Sequence, residues 1–166
     1  MRPVEAEDTA LVDSLTGFGT RHALTIALDD VVAGGEAALL VIFSLDGFDE
    51  YTALFGQLAA RTLLVKLAAR LVEALGPGGR CFRPRRDEFA ALVPTRIDGA
   101  ASILDAAVAA LRERAAPVAV AASWGAAMLP DEARDAVAAL TLADGRLSSN
   151  APRRRRRNRR SPNSVR

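Results

Sequence analysis

Residues 37–43, Ala-Ala-Leu-Leu-Val-Ile-Phe, form an uninterrupted apolar run. The run follows a glycine pair at 34–35 and ends at the turn-forming segment Ser-Leu-Asp-Gly at 44–47. A short apolar run of this kind, rich in residues that favour strands, is typical of a strand that other elements cover on both faces. The run therefore predicts a central, buried strand, and the rest of the chain must supply its cover.

The segments around this strand alternate between helical and strand-like patterns. Apolar residues recur at helical spacing in 20–32 and again in 48–75, where Gly56 divides the pattern into two pieces. The remaining predicted elements are strands at 81–83, 88–93 and 118–128, and helices at 98–114, capped by Asp98, and 131–147, preceded by Pro130.

The predicted order is α, β, α, α, β, β, α, β, α, and it contains the βαββαβ unit of ferredoxin-like folds. The predicted fold class is therefore α/β (α+β), with a central, mostly antiparallel sheet flanked by helices. Five phenylalanines spread through these elements are expected to anchor the core: Phe43, Phe48, Phe55, Phe82 and Phe89.

The distribution of charge separates a body from a tail. The chain of 166 residues has 22 basic and 20 acidic residues, and residues 153–166 hold eight arginines and no acid. Residues 1–152 then carry 14 basic against 20 acidic residues, a net charge of −6. A basic, nucleic-acid-binding surface over the whole domain is thereby excluded. The length suits one core, so we predict one domain, 1–150, and an arginine-rich, disordered tail, 151–166.

The tail allows more than one interpretation. The arginine-rich segment 153–160 could bind nucleic acid or an acidic membrane surface through counterion release. The tail has no aromatic residue to stack on bases, so such contact with nucleic acid would be nonspecific. The alternatives are a solvated, disordered end and a segment produced by a shifted reading frame, which in GC-rich DNA yields arginine and proline.

The N-terminal residues and the lone cysteine indicate the compartment. No apolar run is long enough to span a bilayer, and residues 1–13 carry four acids where a signal peptide has a basic start. Cys81 is the single cysteine, which excludes an internal disulfide, and it is expected to be a small core residue. The sequence predicts a cytoplasmic protein without membrane insertion.

Acidic residues lie at two predicted loops that a sheet could bring together. Asp46 follows the first strand, while Asp87 and Glu88 lie at the hairpin. Carboxylates from neighbouring strand ends are suitable ligands for Mg²⁺ bound to a triphosphate. Spacing alone is a weak signal, because solvated turn residues show the same pattern.

An ordered set of motifs resembles the GGDEF domains of the diguanylate cyclase family. Asp-Ser-Leu-Thr-Gly-Phe at 13–18 resembles the family's DxLTGL opening, and Phe-Ser-Leu-Asp-Gly-Phe at 43–48 resembles its DxDxFK segment. The other matching segments are Phe-Gly-Gln at 55–57, Arg-Pro-Arg-Arg-Asp-Glu-Phe at 83–89 for RxGGDEF, Ser-Trp-Gly at 123–125 and Ala-Asp at 143–144. The resemblance spans 13 to about 150 and implies a nucleotidyl-cyclase palm.

The resemblance implies roles for the acids and a gap at one of them. Asp87 matches the metal-binding residue of the signature, Glu88 its catalytic neighbour, and Asp46 the second Asp of DxD, close to the site. Ser44 stands where the first, metal-binding Asp is expected, and a hydroxyl is a poorer Mg²⁺ ligand than a carboxylate. Mg²⁺ binding is therefore expected to be weak or absent.

Other positions depart from the family pattern as well. Arg85 and Arg86 replace the two glycines that let the hairpin backbone approach phosphates, so they would fill that space or contact phosphate differently. Thr52 and Arg61 replace the Asn and Asp that pair with guanine. Residues 76–79, Gly-Pro-Gly-Gly, lack the RxxD of the product-feedback site.

These joint changes predict a degenerate GGDEF-like domain of bacterial cyclic-dinucleotide signalling. It is expected to lack diguanylate cyclase activity and to act as a regulatory, nucleotide-binding or protein-interaction module. Its expected partners are a protein or a second copy of the chain, with GTP or a cyclic dinucleotide as candidate ligands. The alternative is an active diguanylate cyclase or related nucleotidyltransferase that uses GTP or another nucleoside triphosphate with Mg²⁺.

Overall fold

A computed structural model describes residues 10–151 of the chain. In chain order the elements are α1 Arg21–Gly34, β1 Ala38–Asp46, α2 Phe48–Phe55, α3 Gln57–Leu75, β2 Arg80–Phe82, β3 Glu88–Pro94, α4 Ile97–Ala110, β4 Glu113–Ala115, β5 Val118–Leu129 and α5 Ala136–Asn150. Apart from Ala151, the predicted arginine tail lies outside the described residues.

The five strands form one sheet in the order β2-β3-β1-β5-β4, and every neighbouring pair is antiparallel. Strand β1 is central. It pairs with β3 from Ala38 opposite Pro94 to Ser44 opposite Glu88, and with β5 from Ala38 opposite Leu129 onward. The predicted fold class, an antiparallel sheet flanked by helices, is confirmed.

Helices cover both faces of the sheet, as the apolar run of β1 predicts. Leu39, Val41 and Phe43 face a core that α3 and α4 complete. The intervening residues Leu40 and Ile42 face a second core, which α1 and α5 complete. Because successive side chains of a strand point to opposite faces, a strand buried on both sides has to be apolar at every position.

The structure corrects the prediction after β3. Helix α4 ends at Ala110 instead of residue 114, and residues 113–115 form the short strand β4, which the sequence analysis missed. Strand β4 has three residues and pairs only with the start of β5, so it carries too little alternation to be detected. Asp98 is not the cap of α4, since it lies in the first turn after the cap residue Arg96.

The last helix begins later than predicted, at Ala136 rather than 131. The N–H of Ala138 donates to the Asp135 carboxylate at 2.7 Å, so Asp135 is the cap residue. The preceding residues form a turn in which the N–H of Met128 donates to the Glu132 carboxylate at 2.9 Å. Among residues 10–151, no helix has the length and apolar character needed to cross a bilayer.

Four of the five predicted phenylalanine anchors are buried, and one is not. Phe43, Phe48, Phe82 and Phe89 lie in the two cores, whereas Phe55 is 41% exposed at the end of α2. Phe55 instead packs against Tyr51, with ring centroids 4.7 Å apart. Its helical spacing is compatible with burial, but the chain turns at Gly56 and leaves its ring at the surface.

Candidate functional site

Three buried polar side chains lie in one row across the end of the sheet. Ser44 of β1 stands opposite Glu88 of β3 on one side and opposite Ser123 of β5 on the other. Opposed residues of antiparallel strands project to the same face, and Ser44 continues the face of Leu40 and Ile42. The row therefore lies on the α1 and α5 side, beyond the apolar core.

Glu88 is the acid of this row, and only 2% of its side chain is exposed. The Arg85 Nε lies 3.7 Å from the Glu88 Oε2. A buried carboxylate is costly unless a nearby cation or hydrogen-bond donors compensate its charge. Arg85 thus provides positive charge at the acid that the resemblance marks as catalytic.

The two other acids of the predicted metal site are engaged separately. The hydroxyl of Ser123 donates a hydrogen bond to the Asp46 carboxylate. Asp87 contacts the end of β1 through its backbone, because the Leu45 N–H donates to the Asp87 carbonyl at 2.9 Å. Within residues 10–151, no three His, Cys, Asp or Glu side chains form a group that could hold a metal ion. The donor set has one carboxylate fewer than the family pattern, because Ser44 stands at the position of a metal-binding Asp, and the metal roles of Asp46 and Asp87 stay predictions.

Arg86 ties the hairpin to the start of α2. Its Nη2 donates to the Asp49 Oδ1 at 2.6 Å, and its guanidinium centre lies 5.8 Å from the centroid of the Phe48 ring. Both side chains of the ion pair are largely solvent-exposed, so the pair positions the hairpin more than it stabilises the domain.

Arg83 holds the same hairpin from the opposite side. Its Nη2 donates to the Arg86 carbonyl at 2.8 Å, and its Nη1 lies 3.2 Å from the Asp13 Oδ1. Burial raises the pKa of Asp13, but hydrogen bonds from the Thr16 hydroxyl and N–H and the charge of Arg83 outweigh it, so this pKa lies below its usual value. The lowered pKa favours the ionised form of Asp13, which keeps the Arg83 contact.

Among the cavities formed by the described residues, two large ones lie away from this row. A groove of about 1070 Å³ runs between α4 and α5 and is lined by Ile97, Trp124 and Val137 among others. A smaller cavity of about 480 Å³ lies beside Tyr51 and Phe55, between α2 and α3. Neither is lined by Ser44, by Glu88 or by the hairpin arginines.

The family model for the diguanylate cyclase GGDEF domain matches residues 10–158, which include every element of the fold described above. The chain belongs to the GGDEF domain family. Domains of this family occur in proteins of cyclic di-GMP signalling. The recognition made from the ordered motifs is confirmed.

An uncharacterised signalling protein of Caulobacter vibrioides is 33% identical over 143 residues. The match covers 80% of this chain but only 18% of that relative's length. Most of that relative's chain therefore lies outside the matched region, and the match says nothing about the function of that larger part.

Solved structures share the GGDEF fold closely. A sensory box/GGDEF family protein from Caulobacter crescentus superposes with a TM-score of 0.74 at 28% identity, covering 85% of this chain and 97% of that one. A microbial GGDEF domain solved with cyclic di-GMP gives 0.73 at 29% identity, with 85% and 92% covered. The cyclase SiaD of Pseudomonas aeruginosa, solved with its activator SiaC, shares the fold at 0.74 and 23% identity, with 87% and 59% covered.

Two positions of the family motifs carry opposite charges here, and the sequence analysis did not connect them. Asp49 follows Phe48, so an acid stands where DxDxFK has lysine, and Arg86 stands where the signature has glycine. These two changed positions form the 2.6 Å ion pair. The signal was present in the sequence as two opposite charges at aligned motif positions, but only the fold shows that they meet.

The two positions expected to read guanine differ in their surroundings. The Thr52 hydroxyl donates to the Phe48 carbonyl of its own helix at 2.9 Å, so its donor is already used. Arg61 is exposed on α3 and can only donate hydrogen bonds. Neither side chain offers the combination of donor and acceptor that an Asn and Asp pair presents to a guanine edge.

Proposed function

We propose that this GGDEF domain has lost diguanylate cyclase activity and acts in cyclic di-GMP signalling as a regulatory, nucleotide-binding or protein-interaction module. The observation that carries the proposal is the state of Glu88. This acid is buried, faces the serine that replaces a metal-binding aspartate, and has the Arg85 guanidinium beside it. A cyclase needs that end of the sheet open to a metal-bound triphosphate.

The changes at the base-reading and phosphate positions support the same proposal. Thr52 and Arg61 do not present the guanine-pairing pattern, and Arg85 and Arg86 bring long side chains where glycines leave room. Each change alone could be accommodated, but together they affect the metal, the base and the phosphates of one reaction.

For binding partners, we propose a protein or a second copy of this chain. SiaD, which matches this chain over 59% of its own length, was solved in complex with its activator SiaC. GTP and a cyclic dinucleotide remain candidate ligands, and the cytoplasm, where GTP is available, is the proposed location. The arginines of the predicted tail, which could add a nonspecific nucleic-acid contact, lie outside the described residues.

The alternative is a nucleotidyltransferase with an altered substrate. It is favoured by the retention of Asp46, Asp87 and Glu88, and by two arginines that could contact phosphates. This alternative requires that a nucleoside triphosphate bind together with Mg²⁺.

Calorimetric titration separates the two proposals. GTP, ATP, CTP and UTP are each titrated into the full chain with Mg²⁺ and again with EDTA, and Asp87→Ala serves as the matched variant. The degenerate-domain proposal predicts no Mg²⁺-dependent heat of binding for any of the four. Mg²⁺-dependent binding that Asp87→Ala abolishes would support the transferase and contradict the loss of the site.

A further inference from the structure

We propose that Arg85 is an internal counter-ion for Glu88 that takes the place of a divalent cation at the hairpin end of the sheet, with Arg86 fixing the hairpin that carries it. The inference deepens the proposed function and rests on it. Arg85 would stabilise the altered site in the absence of a metal, because its charge offsets that of Glu88.

Glu88 brings a buried negative charge to this end of the sheet. The acid is held between β1 and the hairpin with its side chain 2% exposed, and Ser44 opposite it brings no charge. In the family pattern a second carboxylate at position 44 would need a cation to offset the two charges. With serine there, Glu88 brings a single negative charge, and Arg85, three residues earlier, places one positive charge 3.7 Å from it.

Several contacts fix the position of the hairpin that carries Arg85. Arg86 reaches Asp49 on α2 at 2.6 Å, and Arg83 donates to the Arg86 carbonyl at 2.8 Å. The Leu45 N–H binds the Asp87 carbonyl at 2.9 Å. Contacts to separate segments therefore hold the loop in one arrangement before any ligand arrives.

A cation that approaches this end of the sheet encounters positive charge. It meets the guanidinium of Arg85, whose Nε lies 3.7 Å from the acid that the cation would bind, whereas the charge of Arg86 is paired with Asp49. Like charges at such distances repel, and the repulsion is strongest where the site is partly desolvated. Arg85 thus compensates the buried acid and also disfavours Mg²⁺ beside it.

The test measures the melting temperature of the full chain in EDTA and in millimolar Mg²⁺ or Mn²⁺. The variants are Arg85→Ser, which removes the counter-ion, and Arg85→Lys, which keeps a cation. Arg134→Ser is the charge-matched control, because Arg134 is exposed and has no ion pair among the described residues. Water-proton relaxation with Mn²⁺ as the probe reports cation binding independently of stability.

We expect the wild type and Arg85→Lys to melt at the same temperature with and without the cations, and to bind no Mn²⁺ saturably. Arg85→Ser should melt about 4 °C lower in EDTA, and Mn²⁺ should recover part of that loss. Arg134→Ser should neither lower the melting temperature in EDTA nor respond to Mn²⁺.

Saturable Mn²⁺ binding by the wild type would overturn the inference, as would an Arg85→Ser variant that behaves like Arg134→Ser. If Arg85→Ser does not fold, the inference is still tested by two results: whether the wild type binds Mn²⁺ in the relaxation measurement, and whether Arg85→Lys melts like the wild type. A wild type that binds Mn²⁺ but makes no cyclic di-GMP would overturn this inference alone. Formation of the product would overturn the proposed function.

Discussion

Replacing Phe89 with alanine is expected to lower the free energy of unfolding by about 4 kcal/mol. Phe89 is fully buried in β3, directly after Glu88, and stands opposite Phe43 of β1. Its ring meets that of Phe18 edge to face, with centroids 5.6 Å apart. Truncation removes this contact and leaves a cavity between the sheet and α3, which surrounding side chains fill only in part.

The matched control is Phe55→Ala, because the sequence pattern places Phe55 in the core and the structure does not. Phe55 is 41% exposed and its ring packs against that of Tyr51, so its truncation should cost less than about 1 kcal/mol. Urea unfolding followed by circular dichroism measures both variants. Equal losses for the two would mean that α2 packs differently from the structure described.

A methyl group at Gly125 is expected to destabilise the domain by about 3 kcal/mol or more. A Cβ there would lie 2.0 Å from the Ala143 carbonyl oxygen and 2.3 Å from the Leu147 nitrogen. Both contacts are backbone atoms of α5, so no side chain can rotate to make room. Helix α5 would have to move away from the sheet and uncover the core shared with α1.

Gly145→Ala, within α5 itself, is the control for the Gly125→Ala variant. A Cβ at Gly145 meets no atom within 4 Å, and alanine favours helix over glycine by about 1 kcal/mol. Gly145→Ala should therefore raise the denaturant midpoint while Gly125→Ala lowers it. A Gly125→Ala variant as stable as the wild type would contradict the close contact between β5 and α5.

The parts of the fold that the sequence predicts are those with strong local patterns. The apolar run of β1 and the helical spacing of α3 identify their elements because burial imposes a period on each. Strand β4 and the start of α5 were missed for the opposite reason. Strand β4 has only three residues, and the start of α5 is set by the turn held by Glu132, so neither leaves a periodic apolar pattern in the sequence.

The candidate site divides in the same way. Ordered motifs identified Ser44, Asp87 and Glu88, and sheet pairing places Ser44 opposite Glu88. The targets of the two hairpin arginines could not be predicted. The sequence analysis expected Arg85 and Arg86 to fill or contact phosphate space, whereas the structure pairs them with Glu88 and Asp49. The second of these contacts joins residues 37 positions apart, and only the packing of α2 beside the hairpin creates it.

We propose above all that this GGDEF domain does not make cyclic di-GMP. The most direct test incubates the purified full chain with GTP and Mg²⁺ and quantifies the product by mass spectrometry, beside Glu88→Gln and an active diguanylate cyclase. We predict no product above the Glu88→Gln level, while the active cyclase converts its GTP. Cyclic di-GMP formed by the wild type and lost in Glu88→Gln would contradict the account.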